Sequence, residues 1–128
     1  MAIPLFSTRV PAGFPTPGEG EIEDKLDLNT HLIKHPAATF FVRVEGCSME
    51  GAGIFEGDLL IVDRAITPRD GHIVLSIING EFTVKRLRLN PGVTLEPAHP
   101  DFNPMKISEE MDFEVWGVVT HTIKSCIL

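Results

Sequence analysis

Basic residues are scarce in this chain of 128 residues, where eleven Lys and Arg face eighteen Asp and Glu and leave a formal net charge of −7 at pH 7. A protein that grips DNA directly needs a cationic surface to displace counterions from the phosphates. Strong direct DNA binding is therefore excluded as the main activity, and any link to nucleic acid has to run through a protein partner. Cysteine is scarce too. Cys47 and Cys126 have neither metal-ligand spacing nor the density of a disulfide framework, so both read as free thiols of a reducing cytoplasm. No metal site and no cofactor is expected. Long apolar runs are also missing: "LLIV" at 59–62 and "VWGVV" at 115–119 are strand-sized, and the N-terminus has no charged stretch leading into an apolar one. Neither a signal peptide nor a membrane span is expected.

What is present is the composition of a globular domain, with 43% apolar and 23% charged residues in a length that can bury one core. Residues 1–24 carry Pro4, Pro11, Pro15 and Pro17 among several glycines, which removes the backbone donors a helix needs. They read as a flexible, extended arm in front of a body over 25–128. In "DLNTHLIKHP", Asn29 is a candidate N-cap for a helix of about two turns that contains Leu32 and Ile33 and ends before Pro36. Beyond it the pattern turns to short β runs at 39–45, 58–63, 72–78, 81–89, 93–96 and 113–123. Asn79-Gly80 suits the positive φ angles of a type I′ turn and predicts a hairpin between the third and fourth runs. The expected fold is mostly β, a single compact sandwich or partly closed barrel-like body with one short helix and the arm.

The segment "EGCSMEGAGI" at 45–54 sets Ser48 between small residues and poses a chemical question. A serine hydroxyl is a poor nucleophile until a base takes its proton. His31, His35, His72, His99 and His121 are scattered and share no recognisable spacing with Ser48, which leaves a Ser-His-Asp triad open. Lys85 lies in the second strand of the predicted hairpin, with Thr83 and Leu87 on its face and Phe82 and Val84 on the other. A lysine there either snorkels to solvent or is partly desolvated. Desolvation lowers an amine's pKa towards the range in which it accepts a proton, as a Ser-Lys dyad requires. Cys47 reads as a small buried hydrophobe rather than a nucleophile. Trp116 and the Phe residues read as core, "EGEIEDKLD" at 19–27 as a solvated linker, and Arg86 and Arg88 as an exposed strand face.

In order and spacing, "GCSM" at 46–49, "GDLLIVD" at 57–63, "GEFTVKRL" at 80–87 and "VWGVV" at 115–119 resemble the self-cleaving Ser/Lys family of LexA-type repressors and UmuD-type mutagenesis proteins. The UmuD-type branch is the nearer likeness. "DLNTHLIKHPAATFFV" at 27–42 is similar to its segment ahead of the nucleophile, "AGFPTP" at 12–17 falls where it carries its cleavage site, and only a short arm stands where a LexA-type repressor has a DNA-binding domain. The resemblance implies Ser48 as nucleophile, Lys85 as general base and Ala12-Gly13 as the scissile bond, with the N–H groups of Ser48 and Met49 as oxyanion donors. Cys47 departs from the family, which usually has Asp there. Further implications are a cytoplasmic homodimer, self-cleavage stimulated by a RecA filament on single-stranded DNA in the SOS response, and service to an error-prone UmuC-like Y-family polymerase. Two alternatives share the chemistry: a LexA- or phage-repressor-type dimerisation module, and a signal-peptidase-like processing protease, which would need a membrane anchor.

Overall fold

A computed structural model describes residues 1–7, 9–15, 17–18 and 20–127. Thr16 and Glu19, which belong to the arm and linker readings, lie outside the described residues. The chain divides into two compact units, Met1–Lys34 and His35–Leu128. In the first, β1 (Ile3–Phe6) pairs antiparallel with β2 (Ile22–Leu26), so part of the stretch expected to be a solvated linker is a strand. The local charge at Glu21, Asp24 and Lys25 misled that reading, because the partner strand is remote in sequence. Helix α1 spans Leu28–Leu32. Its N-cap is Asp27 rather than Asn29: the Asp27 carboxylate accepts from the N–H groups of Asn29 and Thr30, the bonds an N-cap side chain makes. Ile33 has extended backbone and is the C-cap rather than a helical residue.

The second unit is one seven-stranded antiparallel sheet, open rather than closed into a barrel. Its strands are β3 (Thr39–Arg43), β4 (Leu59–Asp63), β5 (Ile73–Ile78), β6 (Glu81–Arg88), β7 (Thr94–Glu96), β8 (Met105–Lys106) and β9 (Phe113–Ile123). Their order across the sheet is β3-β4-β9-β5-β6-β7-β8. The long β9 enters the middle, and its residues Trp116 and Thr120 fall where the ladders to β5 and β4 shift register. The fold class is thus mostly β, as the strand pattern predicts. The two-residue β8 is too short for any periodicity to reveal.

Period-two alternation gives the sheet a core on each face. Val74 and Leu75 are neighbours on β5 but pack in different clusters. Leu75 joins Met49, Ile54, Leu60 and Val62 on one side, and Val74 joins Leu87, Leu95 and Val118 on the other. Trp116 meets Phe40 and Phe82 edge to face, with ring centroids 6.2 and 5.3 Å apart, and carries the Arg64 guanidinium over its ring. The expectation that the Phe residues are core fails for most of them. Phe6, Phe14, Phe41, Phe55, Phe82 and Phe102 are exposed, because alternation turns every second side chain outward and the arm has nothing to bury its own. Arg86 and Arg88 are half-buried rather than a solvated face. Arg86 donates to the Gly71 carbonyl, and Arg88 pairs with Glu96 and Asp70.

Asn79 and Gly80 have φ of 49° and 84°, the two positive angles of the expected turn, and join Ile78 to Glu81. No atom lies within 4 Å of a Cβ built at Gly80. The penalty for Gly80→Ala is therefore conformational alone. It should lower stability by about 1–2 kcal/mol, seen as a lower urea midpoint with an unchanged slope.

Candidate active site

Ser48 sits on a loop that is closed at its neck, plugged into the core and tied at its tip. At the neck, Val44 donates its N–H to the Asp58 carbonyl and Gly57 donates to that of Val44, both at 2.9 Å. Met49 and Ile54 are each only 3% exposed and form the plug, so the residue after the serine anchors in the same core as Leu60 and Leu75. The tip is tied to Ala98, whose N–H donates to the Ser48 carbonyl (2.8 Å) and whose carbonyl accepts from Gly51 (2.7 Å). A Cβ at Gly51 would stand 2.6 Å from the Ala98 oxygen, so only glycine admits this approach. Below the loop, the buried Asp58 carboxylate accepts from the Phe55 N–H, the Thr122 hydroxyl and Lys124. Burial alone would raise its pKa, but the bonds from Lys124, Phe55 and Thr122 together with the lysine's charge outweigh burial and hold it below the ordinary value.

Lys85 comes to the same place from β6. Its Nζ lies 3.0 Å from Ser48 Oγ, 2.7 Å from Thr83 Oγ1 and 3.1 Å from the Val84 carbonyl oxygen. Burial lowers its pKa below the usual lysine value. A neutral amine has two N–H donors and one lone pair. With Thr83 and Val84 as acceptors, the amine turns a third proton towards Ser48 Oγ when it is charged and its lone pair there when it is neutral. The pair faces a cleft of about 290 Å³ walled by Val42, Val44, Met49, Leu75 and Phe82. Neither the Ser48 nor the Met49 N–H donates to a protein acceptor among the described residues.

The structure thus brings Ser48, Lys85 and Met49 together. Ala12 and Gly13 belong to the other unit, where both are exposed. Among the described residues no histidine bonds Ser48, and no cluster of His, Cys, Asp and Glu is arranged to hold a metal. Cys47 is half-buried beside Ser48, and its carbonyl accepts from the Glu50 N–H at 3.3 Å. Thr83 and Ala98 are contributors to which sequence reasoning gave no role. The signal for Thr83 was its place two residues from Lys85 on one strand face, whereas nothing local marks Ala98. Among the described residues no helix is long and apolar enough to cross a membrane.

The Peptidase S24-like family model matches residues 4–120. Protein MucA of Salmonella typhimurium is 45% identical over 123 residues, covering 95% of this chain and 84% of MucA. Protein ImpA of Escherichia coli is 50% identical over 122 residues, 94% of this chain and 82% of its own length. The LexA repressor of Bordetella parapertussis is 36% identical over 126 residues, 98% of this chain but 57% of the repressor.

The lowered pKa of Lys85 has a consequence for stability. Between its folded value and the unfolded value of about 10.4 the unfolded chain binds more protons, so stability rises with pH across that window. Below it, the burial penalty is present in full. Lys85→Met should therefore be more stable than the parent at pH 7, with the gap closing as pH approaches about 10. Urea unfolding at several pH values checks this.

Proposed function

This chain belongs to the Peptidase S24-like family, and on that premise we propose that it is a self-cleaving serine peptidase of the UmuD type that cuts its own arm between Ala12 and Gly13. The observation that carries the proposal is the 3.0 Å contact of the Lys85 amine with the Ser48 hydroxyl. Ser48 Oγ bonds to the Ala12 carbonyl carbon while its proton passes to Lys85. The N–H groups of Ser48 and Met49 receive the oxyanion. As the carbon–nitrogen bond breaks, Lys85 gives that proton to the Gly13 nitrogen. Water then attacks the Ala12 ester, Lys85 takes its proton and returns it to Ser48 Oγ, and the net change is one peptide bond hydrolysed.

The likeness to MucA and ImpA, stronger than that to the LexA repressor, supports a role in SOS mutagenesis rather than repression. On this reading residues 1–24 are the arm and 25–128 the protease-like body of a cytoplasmic homodimer. A RecA filament on single-stranded DNA stimulates cutting, and the trimmed dimer serves a UmuC-like Y-family polymerase. The net charge of −7 fits a protein that acts on DNA through such partners.

Ser48→Ala and Lys85→Ala should each abolish arm removal in the folded protein, and Cys47→Ala should cut normally. Mass spectrometry after incubation with RecA filaments reads both. Loss of cutting in Cys47→Ala with retention in Ser48→Ala would make this a cysteine enzyme. Unassisted cutting should speed up with pH until the lowered Lys85 pKa is passed, because the neutral amine is the active form.

The mutagenic role has a separate test. In cells lacking the native protein, the form beginning at Gly13 should restore damage-induced reversion together with its polymerase, even when it carries Ser48→Ala. Full-length Ser48→Ala should not. Failure of the folded, pre-trimmed form would favour a repressor-type dimerisation module.

A further inference from the structure

Ser76, on β5, is fully buried, and among the described residues its Oγ has no hydrogen-bond partner. Burying a hydroxyl unpaired is costly, so a residue of this kind calls for a reason. Its place in the sheet supplies one. Val74 and Ile78 flank Ser76 on its own face, and Val115 stands opposite it on β9. Directly opposite on β6 is Thr83, the residue whose Oγ1 lies 2.7 Å from Lys85 Nζ. Opposed residues of an antiparallel pair hold their Cβ atoms about 4.5–5.5 Å apart, a span that a Ser–Thr hydrogen bond closes when the side chains take suitable staggered positions.

The direction of the Thr83 hydroxyl decides what Lys85 can do. A neutral amine has two protons and one lone pair for its three neighbours, and the Val84 carbonyl can only accept. If Thr83 donates its proton to Nζ, the lone pair is occupied and Ser48 meets an N–H instead of a base. If Thr83 donates elsewhere, it can only accept from Lys85, and the lone pair is left for the Ser48 proton. Resting on the self-cleavage reading, we infer that Ser76 is a positioning residue whose Oγ accepts the Thr83 proton and so holds Thr83 as an acceptor towards Lys85. The resting site sets this direction in advance. A charged amine has no lone pair to offer Thr83, so the Thr83 proton already points to Ser76 when Lys85 loses its own.

The test follows self-cleavage of the full chain at alkaline pH, where the amine is neutral, and reads products by mass. Ser76→Ala should slow cutting roughly three- to tenfold, the bias that one net hydrogen bond gives between two arrangements. Thr83→Val takes away the hydroxyl through which Ser76 acts, so adding Ser76→Ala to it should change the rate no further. A merely structural role would slow both backgrounds alike. Urea unfolding gives a reading independent of cleavage: Ser76→Ala should lower the midpoint of the parent, where a bond is lost, and raise it in Thr83→Val, where the hydroxyl is an orphan. Cutting of Ser76→Ala at the parental rate, equal slowing in the two backgrounds, or a raised midpoint in the parent would each overturn the role of Ser76 and leave the Ser-Lys reading standing. If the parent is not cut between Ala12 and Gly13 at all, both fall.

Discussion

The site depends on one constraint, that an amine on a β-strand is denied part of its water. Lys85 meets Ser48 where β6 holds it half-buried, with Thr83 Oγ1 and the Val84 carbonyl as further acceptors beside the serine. That placement is a property of the whole sheet. The strand carrying Lys85 turns Val84 into one core and Leu87 into the other, so neither face of β6 can shift without disturbing buried apolar contacts. The Asn79-Gly80 turn then fixes its register against β5, and with it the position of Lys85 opposite Val74. Thr83 supplies an acceptor that orients the amine without a countercharge. An acidic partner at the same place would hold the lysine protonated and leave no lone pair for the serine.

Ser48 is held by different means. Its loop is positioned by backbone hydrogen bonds to Ala98 and by Met49 sunk in the core, and the side chain at position 47 makes no hydrogen bond among the described residues. This bears on the departure from the family pattern at that position. What residue 47 contributes is a carbonyl to the Glu50 N–H, which any amino acid provides. Cysteine in place of aspartate therefore leaves the loop's attachments intact. The requirement for glycine falls at position 51 instead, where the Ala98 carbonyl excludes a Cβ.

The strands of the body were legible because alternation and turn chemistry are local signals, and Asn-Gly between two apolar runs is among the strongest of them. Features that depend on remote partners were not. The β1–β2 ladder joins a proline-bearing segment to a charged one, so neither half advertises a strand. At the helix start, Asp27 and Asn29 are both good caps, and only the backbone angles distinguish them. The Ser48–Lys85 pair spans 37 residues, and no periodicity connects the two. Composition and pattern could say that a lysine in this strand would be partly desolvated. They could not say which hydroxyl it would find, and the likeness to a known family supplied that.

A half-buried lysine is also an incomplete catalyst. In the open cleft its amine still meets solvent, which favours the charged form and keeps the resting site slow. On the proposed reaction, the peptide that lies over Lys85 is both the substrate and the last layer of its burial, and it displaces water from the side the sheet leaves open. Each step of docking then lowers the pKa further, and the base becomes competent as the bond to be cut arrives. A partner that stabilises the docked arm would accelerate cutting without contributing a chemical group, because it need only raise the population of the state in which the site is closed. On the proposed reaction the same argument would restrict cutting to the protein's own arm. A stray peptide would have to supply both the ordering entropy and the desolvation from its own binding, whereas a tethered arm meets the cleft at high effective concentration.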